Sequence, residues 1–115
     1  MADPRIRKLT IQTGVVRRLA KEKVMYEKEA QQQRERIEKY KNDGKDEYEI
    51  RKQEEVLQES LMMVPDTQRR LMKVYEELKS FLDSEQDLKG TETYITSMKV
   101  LEDAKEQLPQ FGEVC

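Results

Sequence analysis

The sequence predicts an all-α fold, an elongated antiparallel three-helix bundle whose second helix is kinked at Pro65. Three observations carry that prediction. Ala, Glu, Leu, Lys and Arg together make 53 of the 115 residues, the composition of a coiled coil or long-helix protein. With only 4 Gly and 3 Pro, the chain has few places to turn, so its elements are few and long. Its apolar residues recur at intervals of seven over long stretches, as they do when helices pack along a shared seam. Hydrophobic residues are 36% of the chain, low enough to raise the question of disorder. Disorder also calls for high net charge, and 22 basic against 24 acidic side chains leave only −2.

The first helix is expected over about 4–41. Asp3-Pro4 supplies an N-cap followed by proline at the first helical position. Leu9, Val16, Ala30 and Ile37 share one heptad position, and Leu19, Tyr26 and Tyr40 another. Gly14, between Thr10 and Thr13 on one side and the rest of the helix on the other, weakens the beginning, and the helix could instead start there. Asn42-Asp43-Gly44 is the first strong turn.

The second helix is expected over about 46–85, carrying Ile50, Leu57, Val64, Leu71 and Leu78 at one heptad position. A short loop makes the two helices antiparallel neighbours. The register sets Leu9 opposite Leu78, Val16 opposite Leu71 and Ile37 opposite Ile50. Each would run ~57 Å at 1.5 Å per residue, so the molecule is expected to be a rod.

A turn near Asp87 to Thr91, around Gly90, leads to a third helix over about 91–107. Tyr94, Ile95, Met98, Leu101 and Leu108 are expected on its inner face, with Pro109 and Gly112 ending it. The whole chain, 1–115, is expected to be a single three-helix domain. The third helix is long enough to cover only the end where residues 4–25 meet residues 66–85. At the other end Ile37, Tyr40, Tyr48, Ile50 and Leu57 have one partner helix. That end is expected to fray, or to complete itself against a partner.

Pro65 stands inside the unbroken heptad. It is read as a kink in a continuous helix, the alternative being a helix boundary. Proline offers no N–H to the carbonyl of Leu61 and its ring pushes that carbonyl aside, while Asp66 and Thr67 support the restarted helix. Lys23 occupies the facing seam position. Its ammonium either reaches the carbonyls of residues 60–62 or snorkels to water while its stem packs. Met62 and Met63 point about 100° apart on a helix, so one fills core and the other is left for a partner.

The composition removes most chemistry. The chain has no His, hence no imidazole base and no His-ligated metal. The lone Cys115 has no imidazole to activate it and reads as an inert tail residue. Neither a dinucleotide fingerprint nor a P-loop occurs, no apolar run approaches a membrane span, and no signal-peptide core is present. The expectation is a soluble intracellular protein that is not an enzyme and uses no cofactor or metal. Charge is unevenly spread: residues 1–42 carry 12 basic and 6 acidic side chains, whereas residues 43–115 carry 10 and 18. A basic first helix can steer toward an acidic partner or simply complement the acidic helices beside it. The overall acidity and sparse aromatics disfavour nucleic acid. A membrane surface would need a stronger basic amphipathic helix.

Two stretches resemble the tubulin-binding cofactor A family. One is Thr13-Gly14-Val15-Val16-Arg17-Arg18-Leu19, continued by Lys21-Glu22-Lys23 and Tyr26-Glu27-Lys28-Glu29. The other is Leu57-Gln58-Glu59-Ser60, then Met62-Met63-Val64-Pro65-Asp66 and Gln68-Arg69-Arg70-Leu71. The likeness covers about residues 1–82 and loosens beyond Leu88. It departs at Leu61, where the family often carries Arg, and at Thr67, where it often carries Cys. The resemblance implies a three-helix bundle that binds and stabilises β-tubulin folding intermediates after their release from the cytosolic chaperonin. It also implies a cytoplasmic, cytoskeleton-associated protein that meets other tubulin-folding cofactors indirectly. Arg17, Arg18 and Lys21 are then the candidate electrostatic contacts and Glu59, Met62 and Met63 the candidate contacts near the kink. Pro65 and Asp66 build the bend. The competing reading is a helical coiled-coil adaptor or a homodimerising module with another partner; either way the chain is expected as a monomer or weak homodimer.

Overall fold

The structure is a computed structural model and describes residues 3–109. Cys115 and Gly112, singled out above, lie outside the described residues. Three α-helices form: α1 (Pro4–Asn42), α2 (Glu47–Ser84) and α3 (Glu92–Lys105), with a 3-10 turn at Gln86–Leu88 before the last. Their ends fall within two residues of those expected from the sequence.

Each boundary has a local cause. Asp3 caps α1, its carboxylate accepting from the Arg5 backbone N–H at 2.9 Å, with Pro4 next. At the far end Gly44 takes φ +71, a conformation that favours glycine. Its N–H donates to the Lys41 carbonyl at 3.2 Å and that of Lys45 to the Tyr40 carbonyl at 3.0 Å. These are the two bonds of a Schellman cap, which satisfy carbonyls the helix leaves open. Asp46 then caps α2 through the Glu49 N–H at 2.9 Å, and Glu47 and Glu49 lie favourably at the positive end of its dipole. Thr91 caps α3, accepting from the Tyr94 N–H at 3.2 Å while donating to the Leu88 carbonyl at 2.7 Å.

The molecule measures 65 × 35 × 16 Å with a radius of gyration of 19.3 Å, against ~13 Å for a compact chain of this length. It is a rod. Leu9, Val16, Leu71 and Leu78 are each 0% exposed and belong to one core cluster, as the antiparallel register requires. At the same end the Lys8 ammonium lies 4.6 Å from the centre of the Phe81 ring. Toward the other end the Gln33 side-chain amide donates to the Gln53 backbone carbonyl at 3.0 Å and to its side-chain oxygen at 2.7 Å.

The core cluster draws on residues 9–19, 71–82 and 88–108 only. Beyond the reach of α3, Ile37 is buried but Ile50 and Leu57 are only half-buried, and Tyr48 is 67% exposed. Two helices enclose a seam less completely than three.

The inner face of α3 differs from the expected one. Tyr94, Leu101 and Leu108 are buried as expected, but Ile95 and Met98 are exposed, and Ser97, Val100 and Ala104 take their place. Small side chains win because α3 lies close against α1: the Ser97 and Thr13 hydroxyls, both buried, are 2.7 Å apart. Tyr94 fixes the other end, its hydroxyl donating to the Leu82 carbonyl at 3.1 Å.

Candidate functional site: helical faces and an inter-helix groove

The motif residues lie in the middle of the rod, where the three-helix half gives way to the two-helix half. α2 runs through Pro65 without interruption, so no helix boundary falls there. Asp66 faces Arg69 at 3.5 Å and Arg70 at 3.3 Å, ion pairs one turn on that support the first turn after the proline. Thr67 is 2% exposed. It lies inside the core rather than on a contact surface.

Met62 is 70% exposed while Met63 is half-buried, the split expected from their angular separation. Glu59 is exposed and Leu61 half-buried beside them. Exposed Pro65 helps line a shallow groove with Gln68, Arg69, Met72 and Pro109, at the point where the chain leaves α3. Lys23 does not reach across to the carbonyls of residues 60–62. Its ammonium pairs with Glu27 on its own helix at 3.4 Å, its stem mostly covered. An ammonium finds a carboxylate one turn away more readily than carbonyls on a neighbouring helix.

The basic residues divide by role. Arg5 is engaged inside the molecule, bonding Asp3, Glu85 at 2.7 Å and Asp87 at 3.0 Å. These side-chain hydrogen bonds hold the Asp3 and Asp87 carboxyls below the usual carboxylate range and raise the guanidinium further. This is the intramolecular complementarity between the basic helix and acidic neighbours. Arg18 is exposed and only loosely paired with Glu22, at 3.7 Å. Arg17 and Lys21 are exposed and make no ion pair among the described residues. Both line a groove between α1 and α3, which has no lining residue in common with the Pro65 groove. The structure therefore does not gather the candidate residues into one pocket. It offers a cationic edge on α1 and a methionine patch on α2.

Among the described residues no group of three His, Cys, Asp or Glu is placed to hold a metal, and no helix is long and apolar enough to cross a membrane. What the molecule presents is the surface of an elongated all-α protein built from three helices.

Comparison with known proteins gives that class a family. The family described as Tubulin binding cofactor A matches residues 4–109, and the chain belongs to it. Tubulin-specific chaperone A of Mus musculus is 56% identical over 105 residues, covering 91% of this chain and 97% of the mouse protein. The solved structure of human tubulin chaperone cofactor A superposes with a TM-score of 0.77 at 53% identity, covering 89% of this chain and 99% of that one. Tubulin folding cofactor A from Arabidopsis thaliana gives a TM-score of 0.81 at 34% identity, covering 90% and 97%. These relatives are named as chaperones and folding cofactors.

Proposed function

We propose that this protein is a non-catalytic cytoplasmic folding cofactor that binds β-tubulin intermediates after the cytosolic chaperonin releases them. It holds them for transfer to other tubulin cofactors. The family match over residues 4–109 is the observation that carries the reading. The rod supports it physically: the surface has long charged faces and an exposed methionine, and it offers a client contact area without any chemistry. Binding a partly assembled client stabilises it by mass action. Arg17, Arg18 and Lys21 attract an acidic client at range. Met62, with Met63 and Glu59 beside it, supplies an adaptable apolar contact, presented by a bend at Pro65 and Asp66.

Purified β-tubulin titrated against the wild-type protein tests this; absence of a saturable complex defeats it. Charge reversal at Arg17, Arg18 and Lys21 should weaken the complex and flatten its salt dependence, because exposed charges are screened within ~10 Å at 0.1 M salt. The half-exposed seam at Ile50 and Leu57 favours one competing reading, pairing with a second copy. Sedimentation of the protein alone across concentration distinguishes it, since a folding cofactor of this kind needs no self-association.

A further inference from the structure

The α1/α3 seam has an unusual floor. In the three-helix half α1 meets α2 through large apolar residues such as Leu9, Val16, Leu71 and Leu78, but where α1 meets α3 several facing residues are small or hydroxylic: Thr13 against Ser97, with Ala20 and Ala104 further along. Small side chains bring the two backbones close and leave an open trough above them. One stretch, of about 440 Å³, is floored by Ala20, Val24, Val100 and Ala104. A second, of about 240 Å³, continues it past Gly14 toward Thr10. Arg17 stands where the two meet and lines both, and end to end they follow α1 from Thr10 to Val24 for ~21 Å at 1.5 Å per residue.

Its two rims differ in charge. The α1 rim carries Arg17 and Lys21 one turn apart, and the α3 rim carries Asp103 and Glu92. Val24, in the larger stretch, is 46% exposed although it is β-branched and apolar.

We propose that this trough seats one amphipathic helical segment of about four turns, its small apolar face on the Ala20–Val24–Val100–Ala104 floor. Acidic side chains on its one flank meet Arg17 and Lys21, and basic ones on its other flank meet Asp103. The segment belongs to the client, so this inference rests on the function proposed above and gives it a seat. The opposite signs of the rims fix which way round the segment lies. The trough also gives a physical use to Gly14, where an added Cβ would meet nothing within 4 Å. The bare backbone there keeps the trough open rather than relieving a clash.

The test is the affinity of the full-length protein for purified β-tubulin, measured by titration at low salt with four variants. R17E/K21E should bind about tenfold more weakly and D103K about threefold more weakly. R34E/R36E makes the same change in net charge on exposed positions of α1 away from the trough and should change affinity less than twofold. G14Q places a side chain in the trough without a clash. It should bind about fivefold more weakly while melting no lower than wild type, so that loss of binding cannot be misfolding. The inference is overturned if R34E/R36E costs as much as R17E/K21E, if D103K tightens binding, or if G14Q binds as wild type does. A wild-type protein that forms no saturable complex overturns the proposed function and this seat with it. A wild-type complex indifferent to all four variants overturns the seat alone.

Discussion

Replacing Pro65 with alanine should make the protein more stable and a poorer tubulin binder. Pro65 is the nineteenth residue of a 38-residue helix, far from either end, where its missing N–H would cost nothing. In a helix interior proline is less favourable than alanine by ~3 kcal/mol, through the lost bond to the carbonyl four residues back and the clash of its ring. Here that carbonyl is Leu61's. Pro65 is exposed and lines the shallow groove with Met72 and Pro109, so losing its ring forfeits about 1 kcal/mol of burial. The balance is a gain of about 2 kcal/mol, or about 8 °C in melting temperature for a chain of this size. Thermal and urea unfolding followed by circular dichroism measure it. Small-angle scattering or a crystal structure of P65A should show a straighter α2, and titration with β-tubulin should show weaker binding. An unchanged or lower melting temperature refutes the reasoning, because it means that α2 accommodates proline without strain. A stabilised variant with unchanged affinity refutes the link between bend and binding.

Three further outcomes are expected. Leu71→Ala and Leu78→Ala, at fully buried positions of the three-helix half, should each cost about 3–5 kcal/mol in urea unfolding, whereas Leu57→Ala in the two-helix half should cost about 1–2 kcal/mol; equal costs would mean that the two ends are equally packed. Gly14→Ala should stabilise α1 by about 1 kcal/mol, since the added Cβ meets nothing and alanine is the better helix former. Arg5 holds the Asp3 and Asp87 carboxyls below their ordinary range, so the stability they contribute is complete above about pH 4 and is lost as the pH falls through their lowered values. Arg5→Met should therefore flatten the acid limb of a stability-against-pH curve, and an unaltered limb would show that the network is not formed in solution.

The parts of the fold legible in the sequence are those where large apolar residues recur on long helices. Leu9, Val16, Leu71 and Leu78 have one way to be buried together once Asn42-Asp43-Gly44 turns the chain, so their register could be read directly. The inner face of α3 could not, because apolarity alone favours Ile95 and Met98. Burial of Ser97 and Ala104 instead follows from how closely α1 and α3 approach, which Thr13 decides from 84 positions away in the chain. Gln33 is the same kind of case: a glutamine in a seam looks like a defect until Gln53 is seen to satisfy it. At the candidate site, the exposure of Met62, Arg17 and Lys21 follows from their positions off the heptad seam. The trough that Arg17 and Lys21 border depends on the offset between two helices joined through a third, and no local pattern encodes that.

Stability and availability are therefore assigned to different seams of one bundle. In the three-helix half the α1/α2 seam is filled by large apolar side chains such as Leu9, Val16, Leu71 and Leu78 and holds the rod together. The α1/α3 seam is closed by a hydroxyl pair and by alanines, which contribute little to burial but bring the backbones close and leave a trough with opposed charges on its rims. Such a seam would drift if it were all that held α3. At one end Tyr94 bonds the Leu82 carbonyl and Leu88 enters the core, and Arg5 ties the start of α1 to Glu85 and Asp87 at the turn leading into α3. At the other end Leu108 is buried and Pro109 meets Pro65 across the shallow groove. With both ends fixed, the middle of the seam keeps its width, and the helix proposed to dock there meets a preformed seat. The ordering cost that usually erodes affinity is thereby reduced for the client segment proposed above.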